Sequence, residues 1–341
     1  MTVRFTRRAF VGAAAATTLA APAVLRAADP LKFRWSLDTA PSHPRNVAVV
    51  DYVGKLEKAS NGALKGEVFH SGQLFADLNV SKALLQGQVE VAAPGAWTLT
   101  GLVPDCDMVQ LPYFYGVPLE VTHKATDGKP GEFINKQLEA KLGSHVLGPW
   151  IDLGQQNWYA TKHPLESFAD LKGLKIRSPG GAAISWRIKF AGAIANTTAW
   201  PNVPLALSQG TFDAFVSTDE SCNSAKLWEA GVKYSLADHQ FMGQYIPMIG
   251  KTFWEKLSAD QQKMMIDLWA QNIGDYRKNA AASQDNARKV MEANNVKFHD
   301  PSPEEAGATR KAMMADINSL IKDAKLSPEV VDLVKASVGS A

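Results

Sequence analysis

The residue in this chain best suited to chemistry is Arg177, which closes the strand candidate Leu174–Arg177 inside the block from Asp170 to Asp219. That block reads DLKGLKIRSPGG and later AWPNVPLALSQGTFDAFVSTD, so Trp200 and the polar pair Ser217-Thr218 follow the arginine. A guanidinium is permanently charged and meets a carboxylate with two parallel hydrogen bonds, so an arginine at the carboxyl end of a strand can clamp an anion. Composition alone would leave it on the surface.

Nothing else in the sequence assembles a catalytic set. The seven histidines, His43, His70, His123, His145, His163, His239 and His299, are scattered and form neither HExxH nor another close ligand pair, so no metal site is expected. Walker, GxGxxG and GxSxG loops are missing, and Ser178-Pro179-Gly180-Gly181 reads as a turn. Asp219-Glu220 are adjacent carboxylates that point apart in any regular structure, which places them in a solvated loop. Cys106 and Cys222 lack the spacing of a zinc or redox site; they could pair in an oxidising compartment or sit free in a core. No catalytic residue and no cofactor is therefore assigned, although catalytic groups can lie far apart in sequence.

The elements that must position Arg177 alternate between strand and helix. Leu31–Leu37, Gly66–His70 and Val89–Ala93 read as strands around helices at Pro44–Ser60, with an apolar stripe of Val50, Val53 and Leu56, and at Asn79–Leu85. His145–Leu153 reads as a strand leaving this first unit, with Gly154 as a flexible point beyond it. A second cycle follows, with strands at Trp158–Thr161, Leu174–Arg177 and Phe212–Val216 and helices at Ala182–Ala191 and Val203–Ser208. This predicts an α/β fold in two lobes. Ser258-Ala259-Asp260-Gln261 is a capping box, and only Gly274 interrupts the helical pattern from there to about Asn294. Some 36 residues at 1.5 Å each span roughly 54 Å, enough to cross both lobes. Ser302-Pro303 and Ser327-Pro328 open two shorter terminal helices.

The 341 residues also carry a leader pattern: Arg7-Arg8 precede an uncharged, alanine-rich run from Phe10 to Leu25 and a small-residue site near Ala27. This predicts a signal peptide over residues 1–27 and a periplasmic protein, exported by the twin-arginine or the general secretory route. Cleavage would remove Arg4, Arg7, Arg8 and Arg26 and no acids, turning a formal charge of +2 into −2. Such a protein has no basic footprint for nucleic acid.

From about Leu31 to Ser327 the chain resembles the solute-binding subunits of tripartite ATP-independent periplasmic (TRAP) transporters, of the C4-dicarboxylate-binding type. The resemblance rests on Ser71-Gly72-Gln73-Leu74, Leu111-Pro112-Tyr113-Phe114, Asp170–Arg177, Ala206-Leu207 with Gly210 and Asp213, and Lys226-Leu227-Trp228-Glu229. It implies a two-lobed periplasmic binding protein, type II-like, with hinge strands and a long helix spanning both lobes. Residues 28–153 with about 243–285 would form lobe I, and 154–242 with about 286–341 lobe II. It also implies capture of a small organic acid by lobe closure and delivery to small and large membrane permease subunits, with a monomer as default and no cofactor.

By position, the resemblance makes Arg177 the carboxylate anchor, places Trp200 against the ligand, and puts Ser217 where an asparagine often donates. Asn157 stands where some sialic-acid-binding members have a second arginine, and Ser36 and the Gly95–Trp97 turn line the pocket from lobe I. One strong anion anchor argues against sialic acid and weakens the case for a compact dicarboxylate. Trp35, Trp97, Trp158 and Trp200 all fall near pocket segments; at least two should be core residues. With Trp200 and Trp97 or Trp158 in the cleft, an aromatic or partly apolar monocarboxylate is favoured. A periplasmic lyase or hydrolase, and a receptor serving a sensor kinase, are the rival readings.

Overall fold

A computed structural model describes residues 29–339, so the expected leader at residues 1–27 lies outside the described residues. The strands are β1 (Leu31–Ser36), β2 (Leu64–Phe69), β3 (Val91–Ala92), β4 (His145–Val146), β5 (Ile151–Gln155), β6 (Asn157–Ala160), β7 (Lys175–Ser178), β8 (Ile194–Thr197), β9 (Ala214–Ser217), β10 (Tyr234–Leu236), β11 (Met242–Tyr245), β12 (Met248–Ile249) and β13 (Lys297–His299). The helices are α1 (Pro44–Ala59), α2 (Asp77–Leu85), α3 (Ala96–Leu99), α4 (Leu119–Thr126), α5 (Lys129–Leu142), α6 (Ala182–Phe190), α7 (Val203–Ser208), α8 (Asp219–Ser224), α9 (Lys251–Trp254), α10 (Ala259–Ala293), α11 (Pro303–Ala315), α12 (Ile317–Ala324) and α13 (Pro328–Val338).

Two mixed sheets organise these elements. The first has the order β2-β1-β3-β12-β4 and the second β13-β10-β6-β9-β7-β8. Between them β5 and β11 pair antiparallel as a two-stranded ribbon, so the chain crosses from sheet to sheet once in each direction through adjacent hinge strands. α10 makes the third crossing. Its 35 residues reach about 52 Å; Met265, Trp269 and Tyr276 face α1, where Tyr52 Oη donates to Met265 O at 2.9 Å, and Met291 enters the core of the second sheet. Its start is the expected capping box, with Ser258 and Gln261 bonding reciprocally.

Several local expectations need correction. Val50 is 48% exposed, and the buried stripe of α1 is Val49, Tyr52, Val53 and Leu56, the i, i+3, i+4, i+7 spacing that a helix turns toward a core. The single strand expected at 145–153 is two, because Pro149, which has no N–H to give a ladder, separates β4 from β5. Asp219 and Glu220 form the first turn of α8 rather than a solvated loop, and Tyr159 Oη donates to Asp219. The C-terminal segment holds three helices, with α12 starting after a break at Asp316. α13 buries Val330, Val331 and Val334 on the side of α4 and α5, so it does not sit with the second sheet as residues 286–341 were divided. Cys106 and Cys222 are both buried and free.

Candidate functional site

Parallel pairing of β7 with both β8 and β9 brings the carboxyl ends of three strands to one edge of the second sheet, facing the first. Arg177 stands at that edge and is 2% exposed. Its Nε donates to Thr198 O at 2.8 Å and its Nη1 to Val216 O at 3.2 Å, while the guanidinium lies 5.5 Å from the Trp200 ring centroid. Burial lowers its pKa to about 10, opposed by the negative charges of Asp77 and Asp38, so it remains a cation at neutral pH. Among the described residues no carboxylate lies within ion-pairing distance of it. Two backbone carbonyls fix the fork and leave its charge uncancelled.

The first sheet supplies the facing wall. Asp38, Thr39, Asp77, Trp97 and Tyr245 meet Arg177, Trp200, Val216, Ser217 and Ser221 around a cavity of about 20 Å³, room for one water. A second small pocket, lined by Ser36, Phe75, Val80 and Gly95, shares Asp38, Asp77 and Tyr245 with it. Behind this wall Arg45 Nη2 holds Asp38 Oδ1 at 2.5 Å, and its guanidinium carbon sits 3.7 Å over the Tyr245 ring. Burial opposes the charge on Arg45, but Asp38, Tyr245 and Asp77 hold its pKa above the ordinary value. Two contacts join the walls directly: Trp200 N donates to Asp77 Oδ1 at 3.2 Å, and His43 Nε2 meets Ser221 Oγ at 3.3 Å. Burial drops the His43 pKa to about 3, so this ring is neutral.

Of the residues singled out in the sequence, Arg177, Trp200, Ser217 and Trp97 line one cavity, and Ser36 and Gly95 line the adjoining pocket. Trp97 Nε1 is buried without a hydrogen-bond partner. Two residues lie elsewhere. Asn157 Oδ1 accepts the N–H of His239 at 3.1 Å, and Asn157 faces a separate cavity of about 330 Å³ beside α10. Trp158 is fully buried, and its Nε1 donates to Asp238 Oδ2 at 2.8 Å, which commits it to the core; Trp35 is likewise packed against Tyr52 and Trp269. Sequence reasoning missed Asp38, Arg45, Asp77 and Tyr245. The available signal was an acid opening a helix directly after Ser71-Gly72-Gln73-Leu74, which reads first as a helix-dipole partner.

A model of the bacterial extracellular solute-binding proteins, family 7 (DctP), matches residues 36–323. The chain belongs to this family. It is a solute-binding protein and not an enzyme. The family 7 protein is 28% identical over 334 residues to the C4-dicarboxylate-binding periplasmic protein DctP of Rhodobacter capsulatus, covering 96% of this chain and 97% of the relative. Its fold matches a TRAP periplasmic solute binding protein from Sulfitobacter sp. NAS-14.1 with bound β-D-galacturonate at a TM-score of 0.83 and 21% identity, over 91% of this chain and 100% of that one. The sugar acid binding protein DctPAm of Advenella mimigardefordensis, in complex with galactonate, matches at 0.84 and 22% identity, over 90% and 99%. Among the described residues, no helix of this family 7 protein is long and apolar enough to cross a membrane.

One glycine of the first unit of this binding protein lies close to the opposite wall. Gly72 has φ +71°, and a Cβ there would lie 2.8 Å from Pro201 Cγ, next to Trp200 on the opposite wall. Gly72→Ala is expected to lower solute affinity about fivefold, roughly 1 kcal/mol, because the clash exists only when the walls meet. Calorimetry reads this directly; an unchanged affinity would show that the Gly72–Pro201 approach does not limit closure.

Proposed function

We propose that the protein is the periplasmic receptor of a TRAP transporter, which captures an organic acid by closing its two lobes and delivers it to the small and large membrane permease subunits. In this reading lobe I is built on the first sheet and lobe II on the second, and ligand bridges them to hold the closed form. One observation carries it: a buried arginine, fixed by two carbonyls and paired with no acid among the described residues, stands where the two sheets meet. Arg177 binds the carboxylate, Ser217 adds a polar contact, and Ser36 and Gly95 shape the lobe I side. Asn157 and Trp158, committed to His239 and Asp238, support the walls from outside the cavity.

Beside the polar groups of the cavity, Trp97, Trp200, Tyr245, Leu153 and Val216 give it aromatic and apolar surface, which favours an acid with an aromatic or partly apolar body. Burying ~200 Å² of such a body at ~25 cal/mol/Å² supplies roughly 5 kcal/mol before the costs of association. Micromolar binding needs about 8 kcal/mol, so a desolvated carboxylate–arginine contact must provide much of the remainder. Room for one water is too little for such a ligand, so the lobes must part to admit it.

A thermal-shift screen of carboxylic acids against their matched amides tests the reading. An acid present at 100 times its Kd adds about 2.7 kcal/mol of stability, which raises the unfolding midpoint by about 5 °C in a protein of this size. The amides are expected to leave the midpoint unchanged. No acid outperforming its amide would overturn the carboxylate reading.

A further inference from the structure

Asp77 is the acid in this cavity whose charge the protein leaves least compensated. It is the first residue of α2, 4% exposed, and its two oxygens accept the main-chain N–H of Trp200 across the cleft, at 3.2 and 3.3 Å. Asp38, also lining the cavity, is neutralised by Arg45 at 2.5 Å. Asp77 has no ion pair among the described residues: it stands against the negative charge of Asp38, Arg45 is committed to Asp38, and Arg177 supplies the main compensating field. A ligand carboxylate on Arg177 would cancel that field. The group then left against Asp77 must be a hydrogen-bond donor, since a charged carboxylate can only accept. Asp38, Asp77 and Tyr245 border both this cavity and the Ser36–Gly95 pocket, so a ligand body extending from Arg177 toward the first sheet lies beside two acids.

We infer that Asp77 is a specificity-determining residue: it accepts a hydrogen bond from a hydroxyl group of the ligand and repels a second carboxylate, so the receptor selects hydroxylated monocarboxylates over dicarboxylates. This rests on Arg177 holding the ligand carboxylate. In the ligand-free protein burial first, and then Asp38, raise the Asp77 pKa to about 6 against the pull of Arg177, which leaves it mainly an anion at pH 7.5 before a ligand arrives.

The test is calorimetry at pH 7.5 with two matched series: phenylacetate, mandelate, phenylsuccinate and mandelamide; and hexanoate, gluconate, adipate and gluconamide. The protein is expected to bind the hydroxylated acid of at least one series tenfold or more tighter than its unhydroxylated and dicarboxylate counterparts. Asp77→Asn, which keeps an oxygen for the Trp200 N–H, should shrink that preference at least tenfold and strengthen dicarboxylate binding. Asp77→Ser provides a second variant with a cap oxygen, and the unliganded unfolding midpoint monitors folding of both. If the acids bind and the amides do not, but no hydroxyl preference exists or both variants keep it, the role of Asp77 is overturned and the carboxylate reading stands. Amides binding as tightly as acids, or none of the eight compounds binding, overturns the carboxylate reading and the Asp77 role with it.

Discussion

Replacing Arg177 with alanine is expected to weaken binding of the organic acid at least 30-fold, about 2 kcal/mol or more, the usual cost of deleting a buried charge-assisted contact. The guanidinium is prepaid in geometry: Thr198 O and Val216 O already hold Nε and Nη1, so little rotamer entropy is lost when a carboxylate arrives. Arg177→Lys retains the charge without the planar fork and should fall between the wild type and the alanine variant. Titration calorimetry on all three, each checked for an intact unfolding transition, separates the outcomes. Equal affinity for wild type and alanine would remove Arg177 from the site.

Arg45 carries the second large effect, this time on stability. Arg45→Met strands Asp38 beside Asp77 and the Tyr245 ring, in a site where the pair's side chains are 0% and 7% exposed. Breaking a buried pair from one side costs about 3–5 kcal/mol, whereas removing both charges is often nearly neutral. The double variant Asp38→Asn with Arg45→Met should therefore recover most of the loss. Urea unfolding of the two single variants and the double one measures this coupling. A cost below about 1 kcal/mol for Arg45→Met would mean that Asp38 finds water or another donor once the arginine is gone.

How much was legible depended on whether a signal was local. α7 was read at Val203–Ser208, its observed bounds, and the Ser258–Gln261 box placed the start of α10, because proline and cap chemistry act within one turn. In α1, Val53 and Leu56 are buried as read but Val50 stood in for Val49, because the valines are equally apolar and only the packing of Tyr52 against Trp35 and Trp269 decides among them. β11 and β12 went unread, since the hinge ribbon and the centre of the first sheet are made by pairings between distant segments. Arg177 was legible through its strand and the family resemblance. Asp77 and Arg45 were not, because their partners, Trp200 and Asp38 with Tyr245, are brought together only by the fold. Asn157 lies outside the cavity for the same reason: a position opposite Ser217 in the ladder says nothing of the His239 N–H that its Oδ1 accepts.

The unbroken course of α10 ties the two halves of the molecule to one rod. Its first half is tied to the first sheet through Tyr52 and the Tyr276–Asp51 bond, and its second half to the other side through Gln284, which bonds both Leu153 O and Glu220 N. Separation of the sheets must flex this rod, most easily near Gly274, whose surroundings are empty and whose backbone is the least stiff in the helix. In the proposed cycle of opening and closing, bending that rod would be one of the energies that the bridging ligand sets against the open form.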